Sequence, residues 1–257
     1  MIALPRLMVA PTGARRSKDD HPALPVTTGE IVDCAEACHA AGAGALHAHV
    51  RDGEGRHTLD AGLYRDLLAR MTERLPGMVV QITTEAVGRH TPEEMRDVVE
   101  AVPARAVSVA LSEMMPERGG AESDAAAEAF HARCLERDIA VQHILYSPAE
   151  AERLAGLVAA GRVPGQGLSA IFVLGSYDGA EPSDPAEIAA FRAAFGEHGL
   201  VPDWMVCAFG PAETECLAAA LAEGGKARVG FENSLWHADG SLAHDNAERV
   251  AEIAKLL

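Results

Sequence analysis

The chain has 257 residues, 48% of them hydrophobic but only 4% aromatic, enough for a large core built from Ala, Val, Leu and Ile. Its 38 acidic against 22 basic side chains leave a formal charge of −16, which disfavours nucleic acid and anionic membrane as partners but permits an anionic small substrate in a locally basic pocket. No apolar run approaches the roughly 20 residues of a membrane span, Pro5, Arg6 and Pro11 interrupt the apolar N-terminus, and the five cysteines show no framework spacing, so a cytoplasmic chain with reduced thiols is expected.

Strand-like and helix-like segments alternate along the sequence. RLMVA (6–10) reads as the first strand, followed by an amphipathic helix over 27–43 with a Thr cap before Glu30. Cys34, Cys38 and His39 share that helix, but no second ligand pair answers them, so they read as packing. ALHAHV (45–50) is the second strand and 59–75 its helix; MVVQITT (78–84) is the third, before a Thr-Pro helix start at 91–102. AVSVAL (106–111) and a helix through 125–138 follow, then IAVQHILY (139–146) and a Ser-Pro-led helix over 147–161. LSAIFVLG (168–175), DWMVCAF (203–209) and ARVGFEN (227–233) are the last three strands, with helices at 183–199, 211–225 and 244–257.

Eight strand–helix units in a chain of this length predict an α/β fold, one (β/α)₈ TIM-barrel domain over 1–257, rather than an open doubly wound sheet. No GxGxxG or P-loop pattern follows the first strand, and no Pro/Ser-rich linker divides the chain. In such a barrel, chemistry sits where strands end and βα-loops begin.

His47 and His49 fall at such an end, and strand alternation puts both on one face. Two neutral imidazoles so placed suit a divalent transition metal, usually zinc; alone they also suit two core histidines satisfied by hydrogen bonds. Glu232, at the end of the last strand, is the candidate third ligand, since a buried carboxylate there needs a counter-charge. Two His and one Glu leave an open coordination position, the mark of a catalytic site. Thr12, Thr83, Thr84, Glu85, Ser108, Tyr146 and Ser147 stand at the same end, and Arg228, four residues before Glu232, is expected to face its side and to need an anionic partner.

The stretches APTGARRSKDDHPALPVT (10–27), AGALHAHVRDGEGRH (43–57), VVQITTEAVGR (79–89), IFVLG (171–175) and ARVGFENSLWHADGSLAHDNAERV (227–250) together resemble the β-keto acid cleavage enzymes, from the first strand nearly to the end. The resemblance implies a zinc-dependent barrel that takes a β-keto acid and acetyl-CoA and yields acetoacetate and a new acyl-CoA by a retro-Claisen route. It implies His47, His49 and Glu232 as zinc ligands, Thr83 and Ser108 as substrate-holding hydroxyls, Arg228 as a catalytic arginine and a tetrameric assembly. Thr12 is a further expected substrate contact.

Two positions depart from the family pattern. Asn233 stands where an aspartate works with the arginine as general base, and an amide cannot take up a proton at neutral pH. Glu85, where a glycine is expected, is the nearest carboxylate that could replace it; a structural or CoA-side role is the alternative. Arg15 stands where an amine-recognising member has glutamate, which predicts a substrate without a distal amine, such as a keto diacid. Two rivals remain at this point: an amidohydrolase-like metal hydrolase, and a metal-binding barrel that has lost catalysis with its base.

Overall fold

The computed structural model describes residues 1–257. In chain order the first elements are β1 (Leu7–Val9), α1 (Thr28–Ala40), β2 (Ala45–Ala48), β3 (Val50–Arg51), β4 (His57–Thr58), α2 (Ala61–Arg74), β5 (Val79–Thr83) and α3 (Pro92–Ala101). Next come β6 (Ala106–Ala110), α4 (Leu111–Met114), α5 (Gly120–Glu136), β7 (Ala140–Leu145) and α6 (Pro148–Ala159). The chain closes with β8 (Ser169–Leu174), α7 (Glu187–Gly196), β9 (Asp203–Ala208), α8 (Glu213–Ala222), β10 (Lys226–Val229) and α9 (Asn246–Ala254). No helix is long and apolar enough to cross a membrane.

Eight parallel strands close a barrel in the order β1-β10-β9-β8-β7-β6-β5-β2, the architecture expected of the alternating pattern. The two-residue side-chain period sorts each strand between two cores. Outward residues such as Val9, Leu46, Ile82, Val107 and Phe172 pack under the helices. Inward ones, among them Met8, Ala45, Ala106, Ile144, Ile171 and Met205, fill the barrel. Because several inward residues are alanines, there is room on the same faces for the longer polar side chains of His47, Gln81, Gln142 and Arg228, all buried. Helix starts follow the sequence signals: Thr27 and Glu30 form a capping box, as do Thr91 and Glu94, with Pro92 in the first turn. Ser147 caps α6 by accepting from Glu150 N at 3.2 Å, which gives it a structural role at the barrel mouth.

Three differences from the sequence reading matter for function. The second strand breaks after Ala48, and Val50–Arg51 pairs antiparallel with His57–Thr58 to form a small hairpin. Asp52 Oδ1 accepts from Glu54 N and Arg56 N, each at 2.9 Å, and Gly55 takes φ +76, so the DGEG segment turns back on itself. The last strand stops at Val229 rather than running to residue 233, because Gly230 turns at φ +136. The fourth strand is followed at once by the short α4, which no periodicity announced. Cys34 and Cys38 contact each other at 3.9 Å, while His39 Nδ1 donates to Ala43 O at 2.8 Å, a packed helix end as expected.

Candidate active site

β2 carries His47 inward, and the break after Ala48 keeps His49 on the same side, with the two Nε2 atoms 3.1 Å apart. Glu232 reaches them from the turn after β10: its Oε2 lies 3.6 Å from His47 Nε2 and 3.3 Å from His49 Nε2. This corrects the expectation that a common pleat aligns Arg228 with Glu232. The strand has already ended, and the turn folds Glu232 back so that its Oε1 meets Arg228 Nη2 at 3.0 Å. Two glycines permit the approach. A Cβ on Gly230 would stand 2.6 Å from Ala10 O, and one on Gly13 would stand 2.7 Å from Glu232 Cγ. Beneath the turn Glu213 Oε2 meets Arg249 Nη2 at 2.6 Å, both side chains fully buried, and Gly230 N donates to Glu213 Oε1 at 3.3 Å.

The hydrogen-bond network assigns the imidazole protons. Gln81 Nε2 donates to Gln142 Oε1 at 3.0 Å, which turns the Gln81 amide oxygen toward His47 Nδ1 at 2.7 Å. An amide oxygen only accepts, so His47 carries its proton on Nδ1 and leaves Nε2 bare. On the other side, His57 Nε2 faces the Glu85 carbonyl oxygen at 2.8 Å and donates to it. His57 Nδ1 is therefore left as an acceptor 3.3 Å from His49 Nδ1, and a proton on His49 Nδ1 satisfies it and leaves His49 Nε2 bare. Burial holds His47 neutral, its pKa pressed down to about 3. Burial opposes ionisation of Glu232, but the Arg228 guanidinium overcomes it and holds the carboxyl well below the usual range.

Two imidazole lone pairs and a carboxylate oxygen thus face one another, and Glu232 Oε2 is buried with no hydrogen-bond partner. Without a cation between them these atoms repel. The three separations, 3.1, 3.3 and 3.6 Å, bracket the edge of about 3.3–3.4 Å expected between ligands held at about 2.0–2.1 Å in a tetrahedron. The donor set fits a divalent ion.

Around this cluster the barrel mouth is hollow. One cavity open to solvent is lined by His47, Thr83, Glu85, Tyr146, Arg228 and Glu232. A second shares Glu85 and Glu232 and adds Thr12, Arg15, Arg16 and Tyr177. Thr12, Arg15, Thr83, Glu85 and Arg228 are therefore brought to one place. Ser108 is not a wall of either cavity; it stands behind Thr83, its Oγ 3.5 Å from Thr83 Oγ1. Thr84 is turned away and donates to Ser108 O at 3.0 Å. Burial raises the Glu85 pKa, with Glu232 adding to the shift and His49 opposing it. Asn233 Oδ1 accepts from Arg228 Nη2 at 3.3 Å, so the amide orients the guanidinium rather than exchanging protons. Arg15 lies 5.2 Å from the centroid of the Tyr177 ring.

Sequence reasoning assigned no role to Gln81, His57 or Arg51. Arg51 Nη2 donates to Gly13 O at 2.6 Å and Arg16 O at 3.0 Å, pinning the loop that carries Arg15. Gln81 was readable in principle, as an amide on the inward face of a strand whose neighbours are apolar. His57 was not, because only the hairpin brings it back beside His49.

A family model for beta-keto acid cleavage enzymes matches residues 6–257. A 3-keto-5-aminohexanoate cleavage enzyme of Fusobacterium nucleatum is 27% identical over 248 residues, covering 95% of this chain and 88% of that protein. A 3-oxoadipate:acetyl-CoA acetyltransferase of Cupriavidus necator is also 27% identical, over 271 residues, 97% of this chain and 87% of its own. A 3,5-dioxohexanoate:acetyl-CoA acetone transferase of Paraburkholderia graminis is 26% identical, covering 96% and 88%. Among solved structures, apo ObcA superposes with a TM-score of 0.66 at 17% identity; the match covers 91% of this chain and spans 61% of that longer protein. 3-Hexulose-6-phosphate synthase gives 0.57 at 16% identity, over 98% and 100% of the two chains. The structural matches establish the barrel, and the family match over nearly every residue establishes the rest: the chain belongs to the β-keto acid cleavage enzyme family.

Proposed function

We propose that this member condenses a β-keto acid bearing a second, distal carboxylate with acetyl-CoA, giving acetoacetate and a new acyl-CoA, at one zinc ion held by His47, His49 and Glu232. The observation that carries the metal reading is the convergence of one ligand atom each from His47, His49 and Glu232 within 4.8 Å of one another, with Glu232 Oε2 buried and without a hydrogen-bond partner. Zinc suits two imidazoles and one carboxylate, and three protein ligands leave a position for substrate. When bound, it supplies Lewis-acid polarisation of the substrate's keto oxygen.

The chain's own groups carry the rest. Glu85, at the rim of both cavities with its pKa raised by burial, is placed to take the proton from the carbon between the keto and carboxylate groups. Asn233 leaves that role open and instead holds Arg228, whose guanidinium faces the same cavity and offsets developing negative charge. The Thr83 and Thr12 hydroxyls line the space where substrate oxygens lie, with Ser108 supporting Thr83 from behind. Attack of the substrate carbanion on the acetyl-CoA thioester forms one C–C bond and releases the CoA thiolate. The thiolate then attacks the original keto carbon, and cleavage of the old C–C bond yields acetoacetate and the new thioester; the proton removed first is returned to the acetoacetate carbon.

Arg15 supports the substrate class. Its guanidinium lines the outer cavity, where it favours an anionic substrate end and repels an ammonium. The relative named for 3-oxoadipate is named for a keto diacid, and it shares with this chain the same 27% identity as the Fusobacterium relative named for an amino keto acid. Membership of the family leaves the amidohydrolase reading without support. The test is acetoacetate release from a panel of carboxyl- and amino-terminated β-keto acids, with and without acetyl-CoA, alongside metal analysis of the same sample. Dependence on acetyl-CoA, zinc near one per chain and faster turnover of the carboxyl form are expected. Faster turnover of the amino form overturns the substrate class. Stoichiometric metal with no turnover, unchanged by Asn233→Asp, supports the non-catalytic barrel instead.

A further inference from the structure

The motif that opens with the two candidate ligands ends at His57, a residue the reaction above does not use. It is 2% exposed and sits on β4, paired with Arg51 across the hairpin, and Arg89 Nη2 donates to its carbonyl oxygen at 3.0 Å. Its ring centroid lies 4.9 Å from that of His49, tilted by 55°. Two groups compete for the His49 Nδ1 proton: His57 Nδ1 at 3.3 Å, and Glu85 Oε2 at 3.8 Å, which is beyond hydrogen-bond range. The far nitrogen of His57 is committed to the Glu85 carbonyl oxygen at 2.8 Å.

We propose that His57 is a positioning residue: its bare Nδ1 accepts the Nδ1 proton of His49 and so fixes the tautomer that aims His49 Nε2 at His47 Nε2 and Glu232. The purpose of that lock rests on the metal reading above; the lock itself is a property of the metal-free chain. Partners of metal-ligating histidines are commonly carboxylates, backbone carbonyls or water. A third histidine here differs from a carboxylate partner in two ways. It adds no negative charge beside Glu232, and it leaves the Glu85 carboxylate unengaged by His49 and free to face the cavity. Its Nε2 bond to the Glu85 backbone also ties the candidate base to the candidate ligand, so one ring sets the position of both. His47 is held differently, by the Gln81–Gln142 amide pair inside the barrel, so the two ligands have independent supports.

Three variants separate the two bonds of His57. In His57→Asn the amide oxygen stands near the place of Nδ1 and keeps the acceptor. His57→Gln places its amide near Nε2 and loses the acceptor, and His57→Leu removes both. Side-chain nitrogen NMR of the metal-free protein reads the His49 tautomer, chelator competition reads zinc affinity, and the visible spectrum of the cobalt-loaded protein reads ligand geometry. Expected is an Nδ1–H tautomer of His49 in wild type and His57→Asn, and its loss in the Gln and Leu variants. Zinc affinity should fall by about 10- to 100-fold in the latter two, with a changed cobalt spectrum, and by less than about threefold in His57→Asn.

If the Leu variant does not fold, the Asn and Gln pair decides. The proposal is overturned if folded His57→Gln keeps the wild-type tautomer, or keeps wild-type zinc affinity and cobalt spectrum although its tautomer has changed. It is equally overturned if Asn and Gln behave alike. Should wild type bind no zinc, the metal reading fails by itself, while the tautomer measurement still decides whether His57 sets the His49 proton.

Discussion

Two groups of buried histidines occupy this barrel, and only one of them meets a carboxylate. His47 and His49 point into the mouth, edge to face, at 5.0 Å between centroids and 70° between planes. His131 on α5 and His143 on β7 lie face to face instead, at 5.2 Å and 17°, in the layer between helix and strand. Burial keeps His131 and His143 neutral, as it does His47, lowering each pKa below its ordinary value. His131 Nε2 and His143 Nδ1 have no hydrogen-bond partners. The difference is the third group. The second pair borders a small cavity walled mainly by apolar residues such as Met1, Leu135, Ile139 and Val163, with no carboxylate. A cation placed there would have two dipoles and no counter-charge. Burial and neutral imidazoles are therefore not what defines the centre; convergence on an acid is.

That comparison can be broken most directly at the acid. Glu232→Ala should remove metal retention and lower turnover by more than the about 100-fold that loss of an outer partner costs. His143→Phe should leave both unchanged; metal lost from His143→Phe, or kept by Glu232→Ala, would reverse the assignment. Gly13→Ala tests how closely the acid is placed. A methyl group 2.7 Å from Glu232 Cγ, on a backbone at φ +61, must displace the carboxylate, and metal affinity is expected to fall about tenfold with the fold retained in circular dichroism. Charge outside the centre can be varied at Arg15. Arg15→Glu should lower kcat/KM for carboxyl-terminated keto acids and raise it for amino-terminated ones, leaving metal content as it was.

The smallest expected effect is a control at a helix cap that contacts neither group of histidines. Burial opposes ionisation of Glu30, but the backbone N–H groups of Thr27 and Val26, together with Lys18, lower its pKa to about 2. A depressed acid contributes stability that is complete above its unfolded pKa, near the ordinary carboxyl value of 4.5, and is lost as pH falls toward about 2. Denaturant titrations should show that component disappear in Glu30→Gln, with a loss of about 1 kcal/mol or less at neutral pH and no change in metal content.

The eight strands and the helices between them were legible because each unit carries its own period and several helices their own start signal: Thr27 with Glu30, Thr91 with Pro92, Ser147 with Pro148. The candidate ligand set was legible for a different reason, since His47 and His49 stand one residue apart at a strand end and Glu232 lies in a stretch resembling a known family. What stayed hidden depends on reversal of the chain. The turn at Gly230, not the pleat, delivers Glu232 to Arg228, and the hairpin after Arg51 returns His57 to His49. Neither leaves a periodic trace. The role of Gln81, though not its inward position, stayed hidden because its partner, Gln142, is 61 residues away in sequence and meets it only once the barrel closes.

The loop bearing Arg15 is fastened on both sides of that residue: Arg51 grips Gly13 O and Arg16 O, and bare Gly13 rests against Glu232. Lengthening or shifting that loop would break these contacts and move the glycine that backs the Glu232 side chain. Exchanging the side chain at position 15 leaves them in place, which makes it the natural place to begin redesign.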